Sequence, residues 1–260
     1  MNLSVPETFS PSSLSQFMSC PLAFRFSYIE RRPRPPQIAA TKGSIVHLAL
    51  ELLFNREPEA RTLENCRADL DEALARYKLM PDLADLELND VQSKELEVQA
   101  HDLIDKYFEI ENPSEINPIG LEVKLQATIG DTKIRGVIDR LELDESGNLV
   151  VTDYKTGKPP WNNSESSKLS GVNLYALLCQ EVFGILPAKV QLIYLSKPVT
   201  IVATPTPGTL KGVQQRSNAI HKAVETACSK GDFRASPSAL CSWCAYQNLC
   251  PAKGGILPDA

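Results

Sequence analysis

Two aspartates and a lysine stand at the ends of two predicted strands. Asp139 lies in the run GVIDR (136–140), and Asp153 and Lys155 lie in VVTDYK (150–155). Carboxylates that converge at strand ends can hold a hard divalent cation, which lowers the pKa of a bound water and offsets charge on a phosphate. A lysine two residues after the second aspartate can approach the attacking water or the phosphate. The pattern therefore predicts a metal-dependent site for phosphodiester cleavage.

The elements that must position these residues follow from hydrophobic periodicity and turn signals. The turn residues 145–148 predict a hairpin, so the first three strands should form an antiparallel meander. Helices are predicted from Ser10-Pro11 onward and over 42–54, 62–78, 90–111, 166–184 and 207–229. Strands are predicted over 121–129, 133–143, 149–154, 189–195 and 200–203.

The charge is distributed unevenly along the chain. Residues 1–150 carry 16 Lys and Arg against 26 Asp and Glu, and residues 151–260 carry 11 against 6, so the net charge of -5 hides a basic C-terminal part. Only the local field near a groove steers a phosphate backbone, so the acidic total does not exclude DNA. The sequence has no apolar run of the roughly 20 residues that a membrane span needs and no export signal. We expect a cytoplasmic protein that does not enter a membrane.

Four of the seven cysteines form a pattern that is typical of metal or cluster ligation. Cys241, Cys244 and Cys250 have the spacing C-x2-C-x5-C, which leaves a four-ligand site one thiolate short. Cys20 is the candidate for the fourth, because it shares with Cys250 a following proline. The other three cysteines lie in predicted helices, where small buried apolar side chains are the expectation: Cys66, Cys179 and Cys228.

The order helix, three strands, helix, strand, with Asp139 on the second strand and Asp153-Tyr-Lys155 on the third, resembles the core of the PD-(D/E)XK nuclease superfamily. Gly43-Ser-Ile-Val-His47 is similar to the G-x-x-x-H motif of RecB-like exonucleases, and Gly136-x-x-Asp139 resembles their next motif. The four cysteines look like the iron-sulfur clasp of a subset that includes the AddB nuclease domain and the CRISPR-adaptation nucleases. The resemblance runs from residue 10 to residue 251.

The resemblance implies roles for individual residues. His47, Asp139, Asp153 and the backbone carbonyl of Tyr154 would be ligands of Mg²⁺ or Mn²⁺, with both aspartates and Lys155 in the catalytic set. Cys20, Cys241, Cys244 and Cys250 would hold a 4Fe-4S cluster, for which a structural Zn²⁺ is the alternative.

One motif of the family is incomplete. The tyrosine of its Q-x-x-x-Y pattern corresponds to Tyr175, a further member of the catalytic set, but Gly171 stands where the family has glutamine. Either Asn173 or Ser170 replaces the missing amide, or this DNA contact is absent.

Two features remain open between a functional and an ordinary role. Glu122 on the first strand could be another acidic ligand, although a plain strand-face carboxylate is the more common case. The aromatic residues 17–28 beside basic residues could stack on single-stranded bases or form the core of an N-terminal arm.

The expected fold is an α/β PD-(D/E)XK core, a mixed sheet flanked by helices, in a single nuclease domain. It would carry an N-terminal arm (1–36), an acidic helical insertion (57–115), the catalytic core (116–205) and a cysteine loop (236–252), with the iron-sulfur clasp joining the two ends.

The expected function is that of a DNA nuclease, an exonuclease on single-stranded ends in repair or recombination. Because the sequence has no Walker A motif, it would act alone or with a helicase or another repair protein as partner. Two alternatives remain: a CRISPR-adaptation nuclease that trims spacer precursors, and a non-catalytic module that binds DNA ends and recruits a partner.

Overall fold

A five-stranded mixed sheet forms the centre of the protein. The computed structural model describes residues 3–159 and 165–257, with the side chains of 165–170 outside the described part. The strand order is β1-β2-β3-β4-β5; β3 and β4 run parallel, and the other neighbours run antiparallel. The strands are β1 Asn117–Ile129, β2 Thr132–Leu143, β3 Leu149–Lys155, β4 Lys189–Tyr194 and β5 Val199–Ala203.

Eight α-helices surround the sheet in the described part of the chain. They are α1 Pro11–Ser19, α2 Pro21–Phe24, α3 Ile38–Phe54, α4 Leu63–Tyr77, α5 Pro81–Ala84, α6 Asp90–Tyr107, α7 Glu165–Phe183 and α8 Pro207–Lys230. None of them is long and apolar enough to cross a membrane.

The two faces of the sheet bury two separate cores. One core contains side chains of α3, α4 and α6, and it includes Tyr154 and Ile193 from the sheet. The other packs α1, α7 and α8 against residues such as Ile138 and Val151. The result is a sheet between two helical layers, which confirms the expected α/β architecture and the antiparallel meander of the first three strands.

Three element boundaries differ from the sequence expectation by four residues: α6 ends at Tyr107 and not at 111, and α3 and β1 begin early. Helix α3 begins at Ile38, directly after the prolines, because Gln37 is already extended and nothing beyond it prevents helical geometry. Strand β1 begins at Asn117, four residues early, and its register shifts between Pro118 and Gly120. Pro118 is tolerated because β1 is an edge strand.

The N-terminal aromatic residues belong mainly to the core. Phe24 and Phe26 are buried, and Arg25 forms an ion pair with Glu30. A buried ring cannot stack on a base, so the structure favours the packing interpretation for these two residues. The three helical cysteines are buried as expected.

Candidate metal and active site

Three potential metal ligands meet at the junction of α3, β1 and β2. One side-chain nitrogen of His47 and one carboxylate oxygen each from Glu122 and Asp139 lie within 4.8 Å of one another. Oxygen and imidazole ligands of this kind suit Mg²⁺ and Mn²⁺ as well as other divalent ions. The donor set therefore fits the divalent cation that the sequence predicts.

The backbone turns over where Glu122 and Asp139 face each other. In a regular strand, residues two apart share a face. Here Leu121 packs on the core of α3, α4 and α6, whereas Val123 packs on the opposite core. Glu122, between them, has φ +47°, in the left-handed region that disfavours side chains with a Cβ. This reversal directs the Glu122 carboxylate toward His47 and Asp139.

A close approach of α3 to the end of β3 places His47. Gly43 lies one helical turn before His47, and a Cβ at Gly43 would stand 3.0 Å from Oγ1 of Thr156. The helix can therefore approach β3 more closely than a larger residue would allow. His47 Nδ1 lies 3.5 Å from Oδ2 of Asp139, and that same oxygen accepts a hydrogen bond of 2.7 Å from the backbone N–H of Tyr154.

Asp153 and Lys155 form an ion pair on β3, beside the three ligands. Tyr175 on α7 lies close to Asp153, and burial together with the negative charge of Asp153 raises the pKa of Tyr175. The ring of Tyr175 occupies the space next to Gly136, where a Cβ would come within 2.9 Å of it. The glycine of the G-x-x-D pattern thus makes room for Tyr175, and all four residues line one open groove.

Burial and mutual charge perturb the titration of the site. Burial opposes the charged ring of His47, but its contact with Asp139 raises the pKa of His47 overall. Burial, assisted by the charge of Asp139, raises the pKa of Glu122. Burial also raises the pKa of Asp153, against the opposing charge of Lys155. Negative charge is crowded here, and a bound divalent cation would relieve it.

Arg140 anchors the opposite face of the same strands. Its guanidinium is fully buried, donates two hydrogen bonds of 2.9 Å to Glu111 and another to the Tyr154 hydroxyl, and forms an ion pair with Glu142. Arg140 follows Asp139 directly, and Tyr154 lies between Asp153 and Lys155. The network thus fixes the far side of the two strands that carry the candidate site.

The structure places three of the four residues that concern the incomplete Q-x-x-x-Y pattern. Gly171 and Tyr175 line the groove. Oδ1 of Asn173 is buried and has no hydrogen-bond partner in the described part of the chain, so this atom does not replace the amide at the groove surface. The side chain of Ser170 lies outside the described residues.

The four cysteines of the predicted clasp line a single small cavity. Cys20 comes from the junction of α1 and α2, and Cys241, Cys244 and Cys250 come from the C-terminal loop. Among the described residues, no three of their sulfur atoms share the 4.8 Å spacing that groups His47, Glu122 and Asp139. The fold therefore brings Cys20 to the same cavity as three cysteines that follow it by more than 200 residues. Their sulfur atoms are less tightly grouped than the ligand atoms of His47, Glu122 and Asp139.

Sequence reasoning left the role of Glu122 open and missed Arg140. An ordinary strand-face carboxylate was the more common case for Glu122, because alternation along β1 gave no sign of the backbone reversal. Arg140 was not singled out, and its only sequence signal was a charged residue directly after Asp139, between the apolar residues Ile138 and Leu141.

Comparisons with known proteins address the fold and the family. The fold is similar to that of a putative exonuclease from Eubacterium rectale, with 12% sequence identity, coverage of 91% of this chain and 92% of that chain, and a TM-score of 0.57. A second solved structure, SSO0001, has 12% identity, coverage of 96% and 89%, and a TM-score of 0.45. No curated protein sequence matches significantly. A family model described as the PD-(D/E)XK nuclease superfamily matches residues 8–251. The chain therefore belongs to the PD-(D/E)XK nuclease superfamily.

Proposed function

We propose that this protein is a metal-dependent DNA exonuclease that degrades single-stranded ends during repair or recombination. Its family consists of phosphodiester hydrolases, and the observation that carries the proposal is the grouping of His47, Glu122 and Asp139 beside the Asp153–Lys155 pair. The structural neighbour described as a putative exonuclease agrees with this choice.

The proposed chemistry assigns a separate task to each group. A divalent ion held by His47, Glu122, Asp139, Asp153 and the Tyr154 carbonyl would activate water and offset charge on the phosphate. The Tyr154 N–H fixes the orientation of Asp139. Lys155, held by Asp153, directs its ammonium group into the groove, where it can stabilise negative charge on a phosphate or orient the nucleophile.

A nuclease assay tests this function. End-labelled single-stranded, duplex and circular DNA would be incubated with Mn²⁺, Mg²⁺ or EDTA and the wild-type protein. We expect metal-dependent shortening of linear single strands and no attack on circles. The variant Lys155→Ala should lose cleavage, whereas Lys94→Ala, at an exposed lysine of α6 that does not line the groove, should retain cleavage of the labelled ends. DNA binding without cleavage by the metal-loaded wild type would favour the recruiting module instead.

We also propose that Cys20, Cys241, Cys244 and Cys250 hold a 4Fe-4S cluster that ties the two ends of the chain together. The shared cavity supports a common ligand. Closely spaced zinc ligands usually come as two C-x2-C pairs, whereas one remote cysteine with a C-terminal triplet resembles an iron-sulfur clasp. This pattern is the reason for preferring the cluster to zinc.

Anaerobic purification tests the cluster. We expect visible absorbance, with iron and acid-labile sulfide in equal amounts. The variant Cys20→Ser should lose this absorbance and unfold at a lower temperature, whereas Cys66→Ser, at a buried cysteine far from the cavity, should keep the absorbance. Stoichiometric zinc without iron in the wild-type protein would contradict the cluster and favour the alternative.

A further inference from the structure

The β1–β2 ribbon carries two cations away from the candidate metal site. Lys124 lies two residues beyond Glu122, and Arg135 lies four residues before Asp139. Because a strand rises about 3.3 Å per residue, their backbone positions lie roughly 7 and 13 Å along the ribbon from the ligands. Both cations line the same groove as Asp139 and Asp153. Lys124 therefore lies nearer to the candidate metal site, and Arg135 lies farther from it along the ribbon.

The charges of these two residues are available to a ligand. Both side chains are exposed, and within residues 3–159 and 165–257 no ion pair includes either of them. Lys133, on the same strand as Arg135, differs in that its ammonium pairs with Glu7 at 2.7 Å. Uncompensated cations along a groove attract a phosphate backbone more strongly than paired ones do.

Apolar side chains also line the groove. Met18 at the end of α1 and Leu240 in the cysteine loop are 56% and 71% exposed, and both belong to the groove lining. Val137, which is 38% exposed, faces Lys124 across the ribbon. Unpaired bases offer apolar faces to such surfaces, whereas a duplex keeps its base faces stacked inside.

We propose that this groove binds single-stranded DNA with its backbone along the β1–β2 ribbon, phosphates on Lys124 and Arg135, and unpaired bases against Met18 and Leu240. The inference rests on the proposed nuclease function and assigns the substrate contacts beyond the scissile bond. It commits to a single strand because cationic and apolar surfaces line the groove together.

Binding measurements test the two phosphate contacts. Fluorescence anisotropy of a labelled oligothymidylate, in EDTA so that nothing is cleaved, would be recorded for Lys124→Gln, Arg135→Gln and the matched control Lys133→Gln. Each groove variant should raise Kd roughly tenfold, the loss expected for one charge-assisted contact. Each should also reduce the slope of log K against log salt by about 0.7. The control should bind like wild type. Groove variants that bind like the control would overturn the proposal.

A small substrate separates this inference from the proposed function. Thymidine 5′-(p-nitrophenyl phosphate) has one phosphodiester and reaches only the metal site, so its metal-dependent hydrolysis by the wild type and by the control Lys133→Gln reports on the metal site without the groove contacts. If the wild type cleaves neither this ester nor DNA while the binding pattern holds, the nuclease proposal fails and the groove assignment stands. If the wild type cleaves both but the groove variants bind normally, the groove assignment fails alone.

The apolar contacts have a separate readout. The double variant Met18→Ser and Leu240→Ser should reduce the preference for single-stranded over duplex DNA, with an unchanged salt slope. A preference equal to that of the wild type would refute the placement of bases on these two residues.

Discussion

Two features of Glu122 destabilise the folded protein in the absence of a metal ion: its backbone is strained, and its carboxylate lies among other carboxylates. Its φ of +47° puts a residue with a Cβ in the left-handed region. Burial and the nearby charge of Asp139 raise the pKa of Glu122, so its ionised form is less favourable than in water when no cation is bound. Two substitutions separate these features. Glu122→Ala removes the carboxylate and keeps the Cβ, whereas Glu122→Gly removes both.

The expected difference between the two variants follows from the backbone alone. Left-handed geometry costs a residue with a Cβ about 1–2 kcal/mol, and glycine avoids this cost. Glycine also makes the unfolded chain more flexible, which lowers the stability of the folded protein by about 0.5–1 kcal/mol. Glu122→Gly should therefore be more stable than Glu122→Ala by about 0.7 kcal/mol. At about 2–4 °C per kcal/mol for a chain of this size, Tm should differ by about 1.5–3 °C.

Differential scanning calorimetry in EDTA and in excess Mn²⁺ would measure both effects. In EDTA the glycine variant should unfold at the higher temperature. Mn²⁺ should raise Tm of the wild type, because a ligand that binds only the folded state stabilises it, and should raise it much less in either variant. If the glycine variant is no more stable than the alanine variant, the backbone at Glu122 carries no strain. If Mn²⁺ stabilises all three proteins equally, Glu122 is not a ligand.

Three further predictions concern the surrounding structure. Arg140→Leu should destabilise the protein by about 3–5 kcal/mol in urea unfolding, because the buried Glu142 and the partly buried Glu111 lose their cation; a loss below 1 kcal/mol would show that the network is not needed. Gly136→Val should displace the ring of Tyr175 and lower the rate of DNA cleavage with little change in Mn²⁺ affinity, and an unchanged rate would contradict this packing. The pKa of His47 is raised above 6.5, and only the neutral ring can bind a cation, so Mn²⁺ affinity should fall as pH drops through that raised pKa. Calorimetric titration would show a flatter pH dependence in His47→Gln, and an equally steep one would exclude His47 as the titrating ligand.

The parts of the fold that follow local rules could be predicted from the sequence. Periodicity predicted the main helices and the order of strands, because each buries one continuous apolar face. Asp153 and Lys155 could be identified together because they lie at the end of a predicted strand. Asp139 lies inside β2, four residues before its end, so its predicted place at a strand end was wrong. The convergence of His47 with them was predictable from the family resemblance, and its physical cause, the approach of Gly43 to Thr156, appears only in three dimensions.

Features that depend on departures from regular geometry could not be predicted. Alternation along β1 treats Glu122 as an ordinary strand residue, and only the positive φ reverses its direction. Arg140 resembles a surface charge until the structure brings it to Glu111, 29 residues earlier, and to Tyr154, 14 residues later, and buries it. The phosphate contacts proposed for Lys124 and Arg135 depend on the lack of an ion-pair partner for either cation among the described residues, which a sequence pattern does not reveal.

The most direct test of the central claim is single-turnover cleavage of an end-labelled single-stranded oligonucleotide by Asp139→Asn, with Asp144→Asn as the matched control. Asp139 lies among the proposed metal ligands, whereas Asp144 lies in the β2–β3 turn and caps backbone N–H groups there. The account predicts that cleavage by the wild type and the control requires Mn²⁺ or Mg²⁺ and that Asp139→Asn, although folded, cleaves nothing in either metal. Cleavage at wild-type rate by Asp139→Asn, or cleavage by the wild type in EDTA, would contradict it.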